Sequence, residues 1–290
     1  AAPTAWCTRR SKVGKIPFRR GYQAVAGSIR VSGLEPIHRR ITKQQQVAVV
    51  VIGSRRTRVA VLLDGVIGNL VGKIPHQTGG QDAQIAGRGG VLGETNGRTV
   101  ATVFAIFEPN FLASLWDEGV KVRGAAPAAD LYWDQVAGFG RRYLADAEGL
   151  DRFAMLGEKL IAAAPWLGLP LYSGWRTMPL ADDAPARALQ VMFVLRELRG
   201  DIHLSALAIS GITPIEAHML NKGHEYASMF GWPEPFPEGA ANKARYDEVE
   251  QLTNRRMAEL FDVAFNRDEA DELARLATAA LASMRASLPA

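Results

Sequence analysis

Beyond about residue 99, apolar side chains recur every three to four residues, the period of a helix that buries one face. Residues 131–144 predict an amphipathic helix through Trp133, Val136, Phe139 and Tyr143. Residues 151–164 predict a second through Phe153, Leu156, Leu160 and Ile161. Asp183 and Pro185 start a third over 186–198, with Leu189, Met192, Phe193 and Leu195 as its stripe. Residues 246–265 carry Val249, Thr253, Met257, Leu260 and Ala264 at helical spacing. A capping box of Asn266 and Glu269 opens the last helix, 270–286, which turns Leu273, Ala277, Leu281 and Met284 inward. Phe104, Phe107 and Phe111 are expected on one helical face around Pro109, and loops rich in proline and aromatics at 165–179 and 230–237.

Residues 199–223 read as two short capped helices around a tight turn. Asp201 is expected to N-cap the first, and Gly211 to close it in the left-handed conformation. Thr213 caps the second, with Pro214 at its first position, Glu216 completing a capping box and Gly223 ending it. This is the sequence shape of a helix-turn-helix.

The first 80 residues lack any sustained helical period. Residues 46–53 and 58–65 are β-branched enough for strands, with Asp64-Gly65 and Gly68-Asn69 as turns. Rich in arginine and glycine and poor in acids, this segment fits a small basic β-rich domain, a mobile basic arm, or a stretch that is not native coding sequence. The expected organisation is therefore a basic segment over 1–83, of β or disordered structure, and a mostly α, helix-turn-helix-like domain in two halves over 84–290.

Charge complicates a simple nucleic-acid reading. The chain carries a formal +4, but residues 1–100 hold 16 Lys/Arg against 4 Asp/Glu, and the remainder is net acidic. Between residues 201 and 262 there are 5 basic and 10 acidic side chains. DNA binding gains much of its affinity by neutralising phosphates, so that surplus opposes it. A single cysteine, Cys7, excludes an intrachain disulfide and fits a cytoplasmic protein. The apolar runs are too short for a membrane span.

Candidate chemistry is sparse. As a DNA reader, residues 213–222 would be the recognition helix, with Thr213, Asn221, Lys222, Arg196 and Arg199 as contacts. The aromatic loops on either side suggest instead an apolar ligand pocket with Tyr172, Trp175, Arg176 and His203 as its polar handles. They serve equally as lids on a core. His203, His218 and His224 lack the spacing of a metal face. The glycines from Gly87 to Gly93 approach a dinucleotide fingerprint but lack the strand before and the helix after. No catalytic group, metal set or cofactor loop emerges, and the reading leans away from an enzyme.

Three runs carry a resemblance: Pro170-Leu-Tyr-Ser-Gly-Trp-Arg-Thr-Met-Pro-Leu-Ala-Asp-Asp183, Leu195-Arg-Glu-Leu-Arg-Gly-Asp-Ile-His203 and Gly211-Ile-Thr-Pro-Ile-Glu-Ala217. With Ala86-Gly-Arg88 through Gly93 and Phe104-Ala-Ile-Phe-Glu-Pro109, they resemble the SalK-like family of largely uncharacterised actinobacterial helix-turn-helix proteins, over residues 84–290. The resemblance implies a helix-turn-helix fold. Two features depart from it: no alternating β-hairpin wing follows the helix-turn-helix, and residues 1–80 do not look like the family's start.

The capped helix pair reads either as a structural two-helix corner of the helical domain or as the DNA reader of a regulatory protein, and the leading expectation is a regulatory protein with DNA as its candidate partner. The rival is a small-molecule-binding or biosynthetic accessory protein that uses an aromatic pocket and binds no DNA. A homo-oligomeric helical scaffold is the third reading.

Overall fold

The structure, a computed structural model, describes residues 80–287. The strands expected at 46–53 and 58–65, the basic segment up to residue 79, His38 and His76 lie outside the described residues; residues 81–83 of that segment already belong to the first helix. Among those described, the helical periods become eleven α-helices and no strand. They are α1 (Gln81–Gly89), α2 (Gly97–Phe104), α3 (Pro109–Arg123), α4 (Ala125–Tyr143), α5 (Leu150–Ala163), α6 (Pro170–Trp175), α7 (Ala184–Ser210), α8 (Pro214–Asn221), α9 (His224–Met229), α10 (Lys243–Ala264) and α11 (Arg267–Ser287).

α7 is the axis of the fold. Asp183 starts it by accepting the Ala186 N–H at 3.2 Å, with Pro185 in the first turn. Residues Ala188 to Leu195 are buried on every face, as expected of a helix that neighbours enclose all round. Helices α4, α5, α6 and α10 pack directly against it. α4 approaches closely because it lacks a side chain at the crossing: a Cβ on Gly140 would come within 2.4 Å of the Pro185 carbonyl oxygen. α1 and α2 lean on α3, and α11 closes over α5. Trp116, Phe153, Tyr172, Trp175, Phe193 and Phe261 fill the main core. A second, smaller core of Ala206, Leu207, Ile212, Ala217, Tyr246 and Val249 lies under the helix-turn-helix.

Three expectations need correction. The helices read at 186–198 and from Asp201 are one continuous helix, α7, because the polar Arg199-Gly200-Asp201 step finds its partners on other elements rather than in a cap. Phe104, Phe107 and Phe111 do not share a face: α2 ends at Phe104, Ala105 turns the chain at φ 51°, and Pro109 begins α3. The loop expected at 165–179 contains α6, whose first residue is Pro170. The glycine stretch 87–93 forms the end of α1 and a 3₁₀ turn, where Gly87 meets the Tyr132 ring and Gly90 the Ala125 carbonyl.

Candidate nucleic-acid interface

The turn itself follows from local chemistry. Gly211 takes φ 68°, a conformation that a Cβ would strain, and its N–H reaches the Ala208 carbonyl. Ile212 then drops into the small core while Thr213 stays exposed. The Thr213 hydroxyl and backbone N–H both donate to Glu216 Oε2, at 2.6 and 2.9 Å, and the Glu216 N–H returns to Thr213 Oγ1. Asn242 holds the other Glu216 oxygen at 2.7 Å. The Thr213 bonds come first in keeping the Glu216 carboxyl below its ordinary range; burial opposes them weakly.

α8 is gripped on several sides. Ala217 and His218 point into the protein. His218 Nε2 lies 2.6 Å from the Ile106 carbonyl oxygen, which also accepts Trp232 Nε1 at 3.0 Å. Phe230 packs on both His218 and Phe107, at 4.8 and 4.5 Å between ring centroids. The helix-turn-helix is thus docked on the connection between α2 and α3. Asn221 Nδ2 donates to the Tyr246 hydroxyl at 3.1 Å, which ties the other end of α8 to α10. The exposed residues at α8 are its caps, Thr213 and Lys222, and its last residue, Asn221, while the residues between are half-buried or buried.

The proposed contacts separate accordingly. Thr213, Asn221 and Lys222 stand at the ends of α8, and Lys222 lies over the Tyr226 ring. Arg196 and Arg199 lie further back on α7. Arg196 bonds Glu197 at 2.6 Å, and Arg199 reaches Glu250 and Asn254 on α10 at 3.1 and 3.3 Å.

The aromatic candidates also part company. Tyr172 and Trp175 are wholly buried on α6. The Tyr172 hydroxyl donates to the Ile161 carbonyl at 2.8 Å, and Trp175 Nε1 to the Arg88 carbonyl at 3.1 Å. The Trp175 ring packs against Phe193, Trp133 and Tyr132 at 4.9, 5.2 and 5.8 Å. Arg176 covers Tyr172 at 5.4 Å. His203 faces elsewhere, with Nδ1 3.2 Å from Thr253 Oγ1 on α10. At about 100° per residue, a two-residue step on α7 turns His203 away from Asp201 and α6. A cleft of about 250 Å³ opens at a different place, between α1, α3 and α4, walled by Val122, Arg123, Leu131 and Tyr132.

The chain matches a family described as the helix-turn-helix family over residues 76–289, which is most of its length. The chain belongs to the helix-turn-helix family. No curated protein and no solved structure matches it. The helix that leads into the Gly211–Thr213 turn is the C-terminal part of the core axis α7 rather than a separate short helix. No helix among the described residues is long and apolar enough to cross a membrane.

Sequence reasoning missed the groups that hold this arrangement. Glu197, 1% exposed, receives Arg88 through two hydrogen bonds of 2.8 and 3.0 Å. Burial alone would raise its carboxyl, but Arg88 and Arg196 outweigh burial and keep it below the ordinary carboxylate range. Asp201, read from sequence as a local cap, instead accepts the Tyr172 N–H at the start of α6. The partners are 109 and 29 residues away, and neither periodicity nor cap chemistry signals contacts at that range.

Proposed function

We propose that this protein is a cytoplasmic helix-turn-helix regulator of the SalK-like kind that binds DNA through the ends of α8. The observation that carries the reading is the capped turn Gly211–Thr213 between α7 and α8, in a chain of the helix-turn-helix family. It leaves Thr213 exposed at the start of α8 and Asn221 and Lys222 exposed at its far end. Thr213 sits where a recognition helix approaches the base edges, and Lys222 supplies a phosphate contact.

Arg196 and Arg199 enter the reading differently. Each is already bonded to a carboxylate, Arg196 to its neighbour Glu197 on the same helix and Arg199 to Glu250 on α10, and release from those pairs is required before either reaches a phosphate. Glu225, Asp247 and Glu248 lie exposed nearby on α9 and α10. The expected complex therefore rests on few phosphate contacts, so it is weak and its affinity falls with a shallow salt slope.

An electrophoretic shift of genomic DNA fragments at low ionic strength tests this. A shifted band that fades as salt rises supports DNA binding; the absence of any shift down to about 20 mM salt rejects it. The second reading, an accessory protein for a small apolar ligand, is favoured by one observation, the cleft walled by Val122, Leu131 and Tyr132. Tyr172 is wholly buried and Trp175 is packed ring against ring with Trp133 and Phe193, which gives that reading less support at those two residues.

A further inference from the structure

The far end of α8 is held from beneath by a chain of side chains. Asn221, its last residue, is exposed, whereas Tyr246 on α10 is 7% exposed and belongs to the small core under the helix-turn-helix. Asn221 Nδ2 donates to the Tyr246 hydroxyl at 3.1 Å, and that hydroxyl donates to Glu250 Oε1 at 3.4 Å. Arg199 on α7 holds the other Glu250 oxygen at 3.1 Å and Asn254 Oδ1 at 3.3 Å. His203 Nδ1 stands 3.6 Å from Glu250 Oε1.

The direction of these bonds follows from what each group can do. A phenol has one proton to give, and an ionised carboxylate can only accept. Glu250, paired with Arg199, therefore takes the Tyr246 proton. The Tyr246 oxygen is left as an acceptor, so Asn221 must turn its amide nitrogen inward rather than its amide oxygen. Burial first, and Glu250 second, push the Tyr246 hydroxyl up to about 12, so it keeps the proton that sets this order. Asn221 Oδ1 and the second Nδ2 hydrogen have no partner among the described residues.

An acceptor and a donor side by side on a fixed amide match one base edge. Adenine offers its N6 amino group and N7 in the major groove, and asparagine meets both at once. We propose that Asn221 reads an adenine and that Tyr246 is the positioning residue that holds the Asn221 amide in the reading orientation. Built on the DNA-binding reading, this assignment gives the complex a sequence preference, an A·T pair at the far end of α8. Lys222, the next residue, supplies positive charge beside that pair.

DNA binding by the full chain tests it. A duplex is enriched from a random pool by the wild type, each base pair is exchanged in turn, and affinities are read by fluorescence anisotropy. In the wild type, changing one A·T pair to G·C should cost about tenfold, within the range of a bidentate base contact. Asn221→Ala should lose that cost at this pair alone. Tyr246→Phe, which frees the amide to turn, should reduce it to about threefold. The salt slope should hold in both variants, since neither changes a charge. Asn221→Ala with the wild-type pattern, or a loss confined to a G·C pair, overturns the base assignment. Full discrimination by Tyr246→Phe, or an equal loss for every duplex as a purely structural role gives, overturns the positioning role. A wild type that enriches no duplex overturns the DNA reading itself and this assignment with it.

A second measurement needs neither DNA nor a variant at Tyr246: hydrogen exchange of the Asn221 carboxamide in the free wild type, followed by nitrogen NMR. Exchange slower than that of a free asparagine amide supports the tie to Tyr246, and exchange at the free rate overturns it.

Discussion

Arg88 and Glu197 meet in a two-point ion pair that joins α1 to the middle of α7, and its carboxylate is almost completely out of solvent. The Arg88 guanidinium lies over the Phe104 ring at 5.0 Å, and the Arg88 carbonyl accepts Trp175. One residue therefore links α1, α2, α6 and α7. Since α7 continues into the helix-turn-helix, the motif's orientation depends on this pair.

Removing one partner of such a pair strands the other charge. Glu197→Ala is expected to destabilise the fold by about 3–5 kcal/mol, because Arg88 is left buried without a counter-charge. A double replacement by apolar residues, Arg88→Met with Glu197→Leu, should cost much less. Urea unfolding of the three proteins separates these outcomes. Glu197 also makes stability fall at acid pH. Its carboxyl is held below the ordinary range, so its contribution is present above the unfolded value and is lost as pH drops through the folded one.

Gly140→Ala tests close packing against propensity. Alanine favours a helix by about 1 kcal/mol over glycine. Here its Cβ would press on the backbone of Pro185, within 2.4 Å of the carbonyl oxygen. Net destabilisation of about 1–3 kcal/mol is expected, measured by thermal or denaturant unfolding. A stabilised variant would show that α4 and α7 lie further apart than described.

Local chemistry explains which parts of this fold were legible in the sequence. Asp183 with Pro185, Asn266 with Glu269, and Thr213 with Glu216 each act within a few residues, and each starts a helix where its cap indicates. The stripes Phe153-Leu156-Leu160 and Val249-Thr253-Met257 turn inward as their spacing requires. Asp201 misled because aspartate before an apolar run is chemically suited to cap its own helix, whereas here it serves another. The same limit applies to the site. Thr213 and Lys222 follow from the turn, but the separation of His203 from Tyr172 depends on how α6 and α10 flank α7, which no local pattern encodes.

The capping box gives a measurable coupling. Thr213→Ala should cost about 1 kcal/mol, within the usual 0.5–2 kcal/mol for losing such a cap. Glu216→Ala should be strongly non-additive with it, because the two side chains bond each other as well as the backbone. A double-mutant cycle from thermal unfolding checks this, and additive costs would show that the box does not form.

His218 docks α8 onto the body of the protein. Burial comes first in pushing its imidazole below the ordinary histidine range, while the bond to the Ile106 carbonyl pulls the other way. As pH falls through about 6.5, the unfolded chain takes up a proton that folded His218 resists, so stability drops and then levels off below the folded value. His218→Ala should remove this slope and cost about 1–2 kcal/mol; Trp232 still satisfies the Ile106 oxygen. Unfolding midpoints across about pH 5–8 read both effects.

Salt-titrated fluorescence anisotropy of a selected genomic fragment, with wild type and Lys222→Glu side by side, reads the proposed DNA contact at α8. The expected result is weaker binding by Lys222→Glu at every salt concentration, with a log–log salt slope shallower by about 1. An unchanged affinity and slope, in a variant that unfolds at the same temperature as the wild type, would contradict the claim and place any nucleic-acid contact away from α8.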